Sequence, residues 1–542
     1  MNLPAPSLYL RQWKADRLLN NQVEKVDEYL KGVDGLNDQR TAPVLFFNAS
    51  TRIHRLSLNG AYSLLASWTL QAAGIPVRYV VCQRGMQQCI LGTRQDRLDS
   101  PPPCTRCTRL SQRLFPQELT IPLRFQQETT DTIGSMLQAL SFPELAAWDY
   151  QNIPLGELCL PGLRWALRSH QIPDTPGIRK LFQQYILSAY SLYTKFVEIV
   201  DREKPRALVV FNGIFYPEAV ARYVAQNRGI PVITHEVGLR PYSTFFSHGE
   251  ATFRQVNLDA DASLSSSENE RLDQYLSERF QGDFTMAGVR FWPNIVDLPN
   301  WLLEKIKKFQ QNVVVFTNVV FDTSQIHANT LFSNMFAWLE MLKPIIQSHP
   351  ETIFIIRAHP DEERPGKRSR ESVREWIADQ GLSEFENVVF FEPGDPVSSY
   401  ELINHSKLVL IYNSSIGLEA SILGAPVLSA GRARFTQIPT VFFPESRKNY
   451  KERLLGFLDA QEIEVPPSFR ENARSFLYHE LYAASLDLSK FLEPDESLQG
   501  MVTFSGFSPD RIQSSHPLDV IRNGILRDTP FLLSPDVEAE IG

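Results

Sequence analysis

Two apolar runs that stop abruptly in polar residues carry the chemistry of this chain. Ile353-Phe-Ile-Ile-Arg-Ala-His-Pro360 delivers Arg357 and His359. Leu408-Val-Leu-Ile-Tyr-Asn-Ser-Ser-Ile-Gly-Leu-Glu-Ala420 delivers Asn413, Ser414 and Ser415 where a helix should begin. A helix start presents unpaired backbone N–H groups and the positive end of a dipole. Arginine adds a planar fork of donors that matches phosphate. His359 can donate to a phosphate oxygen or, when neutral, act as a base. Gly417 would let a ligand approach closely. Such ends on neighbouring strands make a pocket for a phosphate-bearing ligand, which implies an enzyme acting on an activated, nucleotide-linked substrate. The competing reading is local: Ser and Asn are preferred at helix starts for capping alone, and Asp361-Glu-Glu-Arg364 reads as a solvated loop.

Other strand ends add candidates. Glu419 lies four positions after Ser415 and could accept from ribose hydroxyls, or be a solvated helix residue. Thr317, Asn318 and Asp322 follow another apolar run and would face the same cleft, although Asn and Asp also suit turns. Ile233-Thr-His-Glu-Val-Gly238 ends a strand in the N-terminal half. There His235 and Glu236 would look across the cleft. A carboxylate at that place could deprotonate an acceptor hydroxyl, or only hold the strand end. His54, Arg55 and Asn59 precede a long helix and are candidates for contacts to acceptor or donor phosphate. Glu236 and His359 are thus the catalytic candidates. Arg357, His359, Asn413, Ser414, Ser415, Glu419 and Asn318 are the donor-binding candidates.

The elements that must position these residues alternate. Val313–Phe316, Thr352–Ile356, Asn387–Phe391, Leu408–Tyr412 and Val427–Ser429 read as buried strands. Helical spacing separates them, as in Leu331, Met335, Trp338, Leu339 and Leu342. This predicts a parallel sheet covered on both faces. The N-terminal half repeats the theme: strands Val44–Phe47, Val77–Val81, Ala207–Phe211 and Pro231–Thr234, with helices Leu58–Ala73, Leu181–Val200 and Glu218–Asn227. Leu91 to Pro176 should hold loops and short helices. Trp292–Leu303, broken by Pro293 and Pro299, reads as a hinge. Ser468–Phe491 reads as one long helix, and the stretch after about Gly500 as a loosely packed tail. The expected fold class is α/β, with two Rossmann-like doubly wound domains facing a cleft and a C-terminal crossing helix. The expected domains are 1–295, 296–465, a crossing helix 466–495 and a tail 496–542. In open α/β sheets ligands bind beyond the carboxyl ends of strands, where these residues sit.

Length and composition narrow the function classes. At 542 residues the chain is too long for one ordinary domain. A net charge of −8 and 43% apolar residues fit a globular protein and disfavour a general nucleic-acid binder. No apolar stretch approaches the ~20 residues that span a bilayer, and no secretory signal is visible. The expectation is a cytoplasmic protein, with peripheral contact at the inner face of the membrane or with a polysaccharide-assembly complex left open. Cys82, Cys89, Cys104 and Cys107 cluster in one stretch. They are candidates for a structural zinc, with an iron–sulfur cluster as a second option. Flanking Arg84, Arg106 and Arg109 would ease thiolate formation. Only the second pair has tight spacing, and two buried small residues beside an inert pair is the competing reading.

Arg357-Ala-His-Pro360, Tyr412-Asn-Ser-Ser-Ile-Gly-Leu-Glu-Ala420, Gly424-Ala-Pro426 and Phe316-Thr-Asn318 with Asp322 resemble the capsule polysaccharide biosynthesis glycosyltransferases, which have the GT-B fold. The resemblance is best from about Val313 to Gly431 and weaker over Ala207–Gly249 and Ala473–Phe491. The histidine–proline and paired-serine elements are also similar to those of bacterial sialyltransferases and Kdo transferases, which use CMP-activated sugars. The resemblance implies that His359 contacts the nucleotide and that Ser414 and Ser415 hold its phosphate. It implies a nucleotide-sugar donor, a glycan or glycolipid acceptor and no catalytic metal. The acidic base motif of the sialyltransferases, two acids then glycine, is not evident, and Glu236 stands in its place. The alternatives are a sugar-nucleotide epimerase on the same fold and a non-catalytic polysaccharide-assembly protein.

Overall fold

The computed structural model describes residues 6–36, 40–49, 55–258, 263–280, 285–286, 289–290, 297–364 and 368–534. The chain opens with helix α1 (Pro6–Lys31). The first sheet then uses β1 (Val44–Asn48), β2 (Val77–Cys82), β3 (Thr120–Leu123), β4 (Ala207–Phe211), β5 (Val232–Val237) and β6 (Ser243–His248). Their order is β3-β2-β1-β4-β5-β6, parallel except for the antiparallel β6. All five β1 residues are buried, because helices cover both faces. Val44 and Phe46 enter one core with helix α2 (Leu58–Ala72); Leu45 and Phe47 enter another with the long helix spanning Pro176–Glu203. Alternate side chains of a strand point to opposite faces, so a continuous apolar run feeds two cores. Ser57 caps α2 by accepting from the Gly60 N–H at 3.2 Å. Between β2 and β3 lies helix α3 (Cys104–Leu114).

The second sheet repeats the plan. β7 (Gln311–Phe316), β8 (Thr352–Arg357), β9 (Val388–Phe391), β10 (Leu408–Ile411) and β11 (Val427–Ser429) run parallel in the order β9-β8-β7-β10-β11. Val313 and Val315 face one core, and Val314 and Phe316 the other. In both sheets the parallel strands stand in the order third, second, first, fourth, fifth. The winding reverses between first and fourth strands, β1 and β4 in one sheet and β7 and β10 in the other. Such a switch point leaves a crevice beyond the strand ends. The two domains are Rossmann-like, doubly wound and face a cleft in the GT-B manner.

Three expectations change. The domain change does not fall near residue 295, because the helix Ser266–Phe280 buries Leu272 and Leu276 in the core of the second sheet. Trp292 and Pro293 lie outside the described residues. The crossing helix is shorter than the apolar spacing suggested. It runs α-helically over Pro467–Tyr478, passes through a π-turn over His479–Ala483, and ends in a strand, Leu486–Asp487, beside β6. Glu480 explains the turn. It is fully buried, and its carboxylate pairs with Arg254 and, at 3.0 Å, with Arg434. The stretch after Gly500 is not loose. Met501–Phe504 pairs with Leu56–Ser57, and Leu518, Ile521 and Ile525 of the helix His516–Arg527 are buried in the N-terminal core at helical spacing.

A polar latch also joins the halves. The Glu371 carboxylate accepts from Ser169 Oγ at 3.0 Å and from the backbone N–H groups of His170 and Gln171.

Candidate functional site

The switch point of the first sheet opens into a cavity of about 250 Å³. Asn48 closes β1 and Asn212 follows β4, and both line it. Trp165, Phe215 and Tyr216 form an aromatic side, and Asn59, Gly60 and Ser63 of α2 another. His235 and Glu236 line it as well, while Asp322 and Thr323 reach it from the second domain. The cavity is therefore an interdomain one. Asn212 adopts φ 34° and Gly213 φ 74°. This left-handed pair turns the chain sharply at the end of β4, and the Asn212 side chain closes the turn by accepting from the Ile214 N–H at 3.0 Å.

Glu236 sits inside β5 rather than past its end, opposite Phe245 of β6. One carboxylate oxygen accepts from the Val237 N–H at 2.9 Å, and the other lies 3.5 Å from the Asn212 amide nitrogen. Burial raises its pKa to about 7, hydrogen bonds offset part of that, and Asp322 across the cleft adds to the rise. A carboxylate poised near neutrality suits proton abstraction. His235 is 2% exposed and stacks on Phe246 at 5.3 Å. Burial lowers its pKa to about 3, so the ring is neutral. The cavity residues Asn48, Asn59 and Asn212 share one signal in the sequence: a polar residue at a strand end or on the first turn of the following helix.

The second switch point gathers the donor-side candidates. Asn413 Oδ1 accepts from the Asn318 amide and from Gln325 Nε2, the latter at 3.2 Å, which ties the ends of β7 and β10 together. Ser415 is exposed at the start of the helix Ile416–Ile422 and makes no capping bond with its side chain. Ser414 beside it is buried. His359 is half-buried. Its Nδ1 accepts from the Asp361 N–H at 3.1 Å, which assigns the proton of a neutral ring to Nε2.

Four candidates make contacts within the fold. Arg357 is 3% exposed and directs its guanidinium along the strand edge, to Ser399 Oγ at 3.2 Å and the Asp395 carbonyl at 3.1 Å. Burial lowers its pKa to about 10, opposed by Asp395. These bonds brace the β8–β9 ends. Glu419 is 4% exposed. One oxygen accepts from Arg279 Nε and Nη2 at 2.9 and 2.6 Å, the other from the Tyr400 hydroxyl at 2.6 Å. With both oxygens engaged, it fastens the helix Ser266–Phe280 to the domain and does not read ribose. Gly417 serves packing: a Cβ there would meet Ile411 Cδ1 at 2.2 Å. Arg55 pairs with Asp16 at 2.5 Å and Asp495 at 3.4 Å, tying α1 to the C-terminal segment. Asn59 does reach the cavity, and His54 lies outside the described residues.

The four clustered cysteines all line one small cavity behind the main one. Burial pushes the Cys89 and Cys107 thiols up to about 12 and raises Cys82. Among the described residues, no three His, Cys, Asp or Glu side chains are grouped as metal ligands.

Comparison with known proteins bears on the second domain. Residues 302–439 match the family model described as capsule polysaccharide biosynthesis protein. That segment contains the Asn318, His359 and Asn413–Ser415 positions described above, and every motif on which the resemblance rested. It covers much of the second domain and none of the first. Among solved structures, the chain is similar to two Thermosulfurimonas dismutans KpsC domains. The beta Kdo 2,4 transferase is 11% identical, with 59% of this chain and 87% of that one covered and a TM-score of 0.32. The beta Kdo 2,7 transferase is 15% identical, with 61% and 89% covered and a TM-score of 0.27. Neisseria meningitidis UDP-GlcNAc 2-epimerase bound to UDP-GlcNAc is 13% identical, with 81% and 98% covered and a TM-score of 0.23. No curated protein matches the chain.

Proposed function

We propose that the chain is a glycosyltransferase of capsular or surface polysaccharide synthesis, moving a sugar from a nucleotide-sugar donor to a growing glycan or glycolipid. The observation that carries the reading is Glu236, held near neutrality in a cavity of the first domain that Asp322 and Thr323 of the capsule-family segment help to close. In this reading the donor lies against the ends of β7 and β10. The His359 Nε2–H, the Ser414 and Ser415 hydroxyls and the helix start behind them receive the phosphates. The acceptor occupies the cavity, with its sugar face on Trp165 and Phe215. Glu236 takes the proton of an acceptor hydroxyl as that oxygen bonds to the anomeric carbon. The bond from that carbon to the phosphate oxygen breaks, and the nucleotide leaves with the electron pair. Donors fixed around the leaving phosphate stabilise its charge without a metal ion. The cavity favours transfer over epimerisation, because an epimerase has no second substrate to house.

The test is binding of CMP, UDP and GDP to the purified protein, followed by transfer with the His359→Ala/Ser415→Ala double variant. One nucleotide should bind, and the double variant should lose about tenfold or more in its affinity, given hydrogen bonds to a charged group. Unimpaired transfer by the double variant would sink the assignment. Conversion of the sugar nucleotide without acceptor would install the epimerase instead, and no nucleotide binding would leave an assembly protein.

A further inference from the structure

Helix α1 shows two faces. Leu19, Val23, Val26 and Leu30 are buried in the N-terminal core. Opposite them, Leu10, Trp13, Lys14 and Arg17 recur at i, i+3, i+4 and i+7, all exposed. Leu10 is 58%, Trp13 57% and Leu18 46% exposed, three of the seven large apolar side chains that are exposed among the described residues. Arg17 lies over the Trp13 ring at 5.4 Å.

The same surface is basic. Arg113 of α3 pairs with Asp16 of α1 at 3.2 Å, which sets the two helices side by side. Arg106, Arg109 and Arg113 are exposed at i, i+3 and i+7, and α3 contains no acidic residue. From Leu10 to Leu18 the sole acid is Asp16, which Arg55 also engages. Leu10–Leu18 and α3 together carry six cations (Arg11, Lys14, Arg17, Arg106, Arg109 and Arg113) and one acid, on a chain whose net charge is −8.

We propose that this α1–α3 surface docks the protein on an anionic phospholipid bilayer. Exposed tryptophan and leucine among arginines and lysine suit the headgroup boundary, where rings and apolar chains enter and cations meet lipid phosphates. A soluble polyanion would satisfy the arginines and leave Leu10, Trp13 and Leu18 in water. Leu114, the last residue of α3, and Phe115 after it line the interdomain cavity, so docking would bring the cavity close to the membrane. Among the described residues no helix is long and apolar enough to cross a membrane. The proposal does not depend on the transfer chemistry.

The full-length protein is sedimented with vesicles of phosphatidylcholine alone and of phosphatidylcholine mixed with phosphatidylglycerol, at low and high salt. Binding is expected only to the anionic vesicles, and weaker at high salt. Trp13→Ala/Arg17→Glu should lower the partition coefficient about tenfold or more, since each cation near such a surface contributes about a fivefold factor. The variant's circular dichroism and thermal melt should match the wild type, since both side chains are exposed. No binding to anionic vesicles, or equal binding by variant and wild type, would overturn the proposal. So would a dimer by light scattering that the variant dissolves while vesicle binding persists, because the face would then belong to a second copy.

Discussion

Glu236→Gln keeps the shape of the side chain and removes its ability to accept a proton. The glutamine oxygen can still receive the Val237 N–H, now 2.9 Å from the carboxylate. Losing a positioned base costs about 10² to 10⁴ in rate, so kcat should fall by that order while nucleotide affinity holds. The same burial makes a second, opposite forecast. The Glu236 pKa rises from its ordinary 4.5 to about 7 on folding. The folded chain therefore binds this proton more tightly than the unfolded chain. That contribution to stability is complete below 4.5 and is lost as pH rises through about 7. At about 1.4 kcal/mol per pKa unit, discounted because the group is partly exposed, the loss is on the order of 2 kcal/mol. Glutamine carries no such loss. The variant should equal the wild type in acid and be more stable above neutrality. Chemical denaturation at acid and alkaline pH reads stability, and sugar transfer reads activity. An active variant would refute the role as base. An inactive variant that is less stable at every pH would make Glu236 a structural residue.

Asp322 raises the Glu236 pKa from across the cleft, so Asp322→Asn should move the acidic limb of the kcat/KM profile to lower pH; an unmoved limb would uncouple the two. Glu419→Ala removes a buried carboxylate from Arg279, which keeps the Tyr275 hydroxyl, and should cost about 3–5 kcal/mol of stability, read by denaturation. The folded variant should keep its nucleotide affinity, and a large loss of affinity with unchanged stability would return Glu419 to the ribose. Cys89 and Cys107, with thiols held at about 12, should alkylate slowly in the native protein at mildly alkaline pH, followed by peptide mass spectrometry. Fast labelling at both would reveal thiolates available to a metal.

The second sheet and four strands of the first were legible because a buried parallel strand is a short apolar run with a polar stop; Thr120–Leu123, inside a stretch read as loops and short helices, and the antiparallel Ser243–His248 were missed. That signal located Asn318, Asn413 and Glu236 together with their elements. It could not tell which polar groups the fold consumes. Glu419 reads like a ribose ligand until Arg279, 140 positions earlier, reaches it. Arg357 reads like a phosphate fork, whereas Ser399 and Asp395 engage its Nε and Nη2. Both partners are fixed by tertiary packing, which leaves no local trace. The C-terminal segment failed for a related reason. Short strands such as Met501–Phe504 carry too few residues for periodicity to show, and their partner Leu56–Ser57 lies at the other end of the chain. The four cysteines were legible as a cluster, and the structure does bring them to one cavity. Their protonation was not, because it depends on burial.

The repeated topology has a mechanistic consequence. Each sheet places its crevice where the winding reverses, so one fold rule supplies both halves of a two-substrate site. Neither half is complete alone. Glu236 lies in the first sheet, where burial raises its pKa, and Asp322 of the second domain adds a smaller share from across the cleft. Contacts that join the domains include Glu371 on the 168–171 loop and Glu480 between Arg254 and Arg434. Under the proposed function the donor is held by one domain and the base by the other, so the contacts that join the halves also hold the two substrates together.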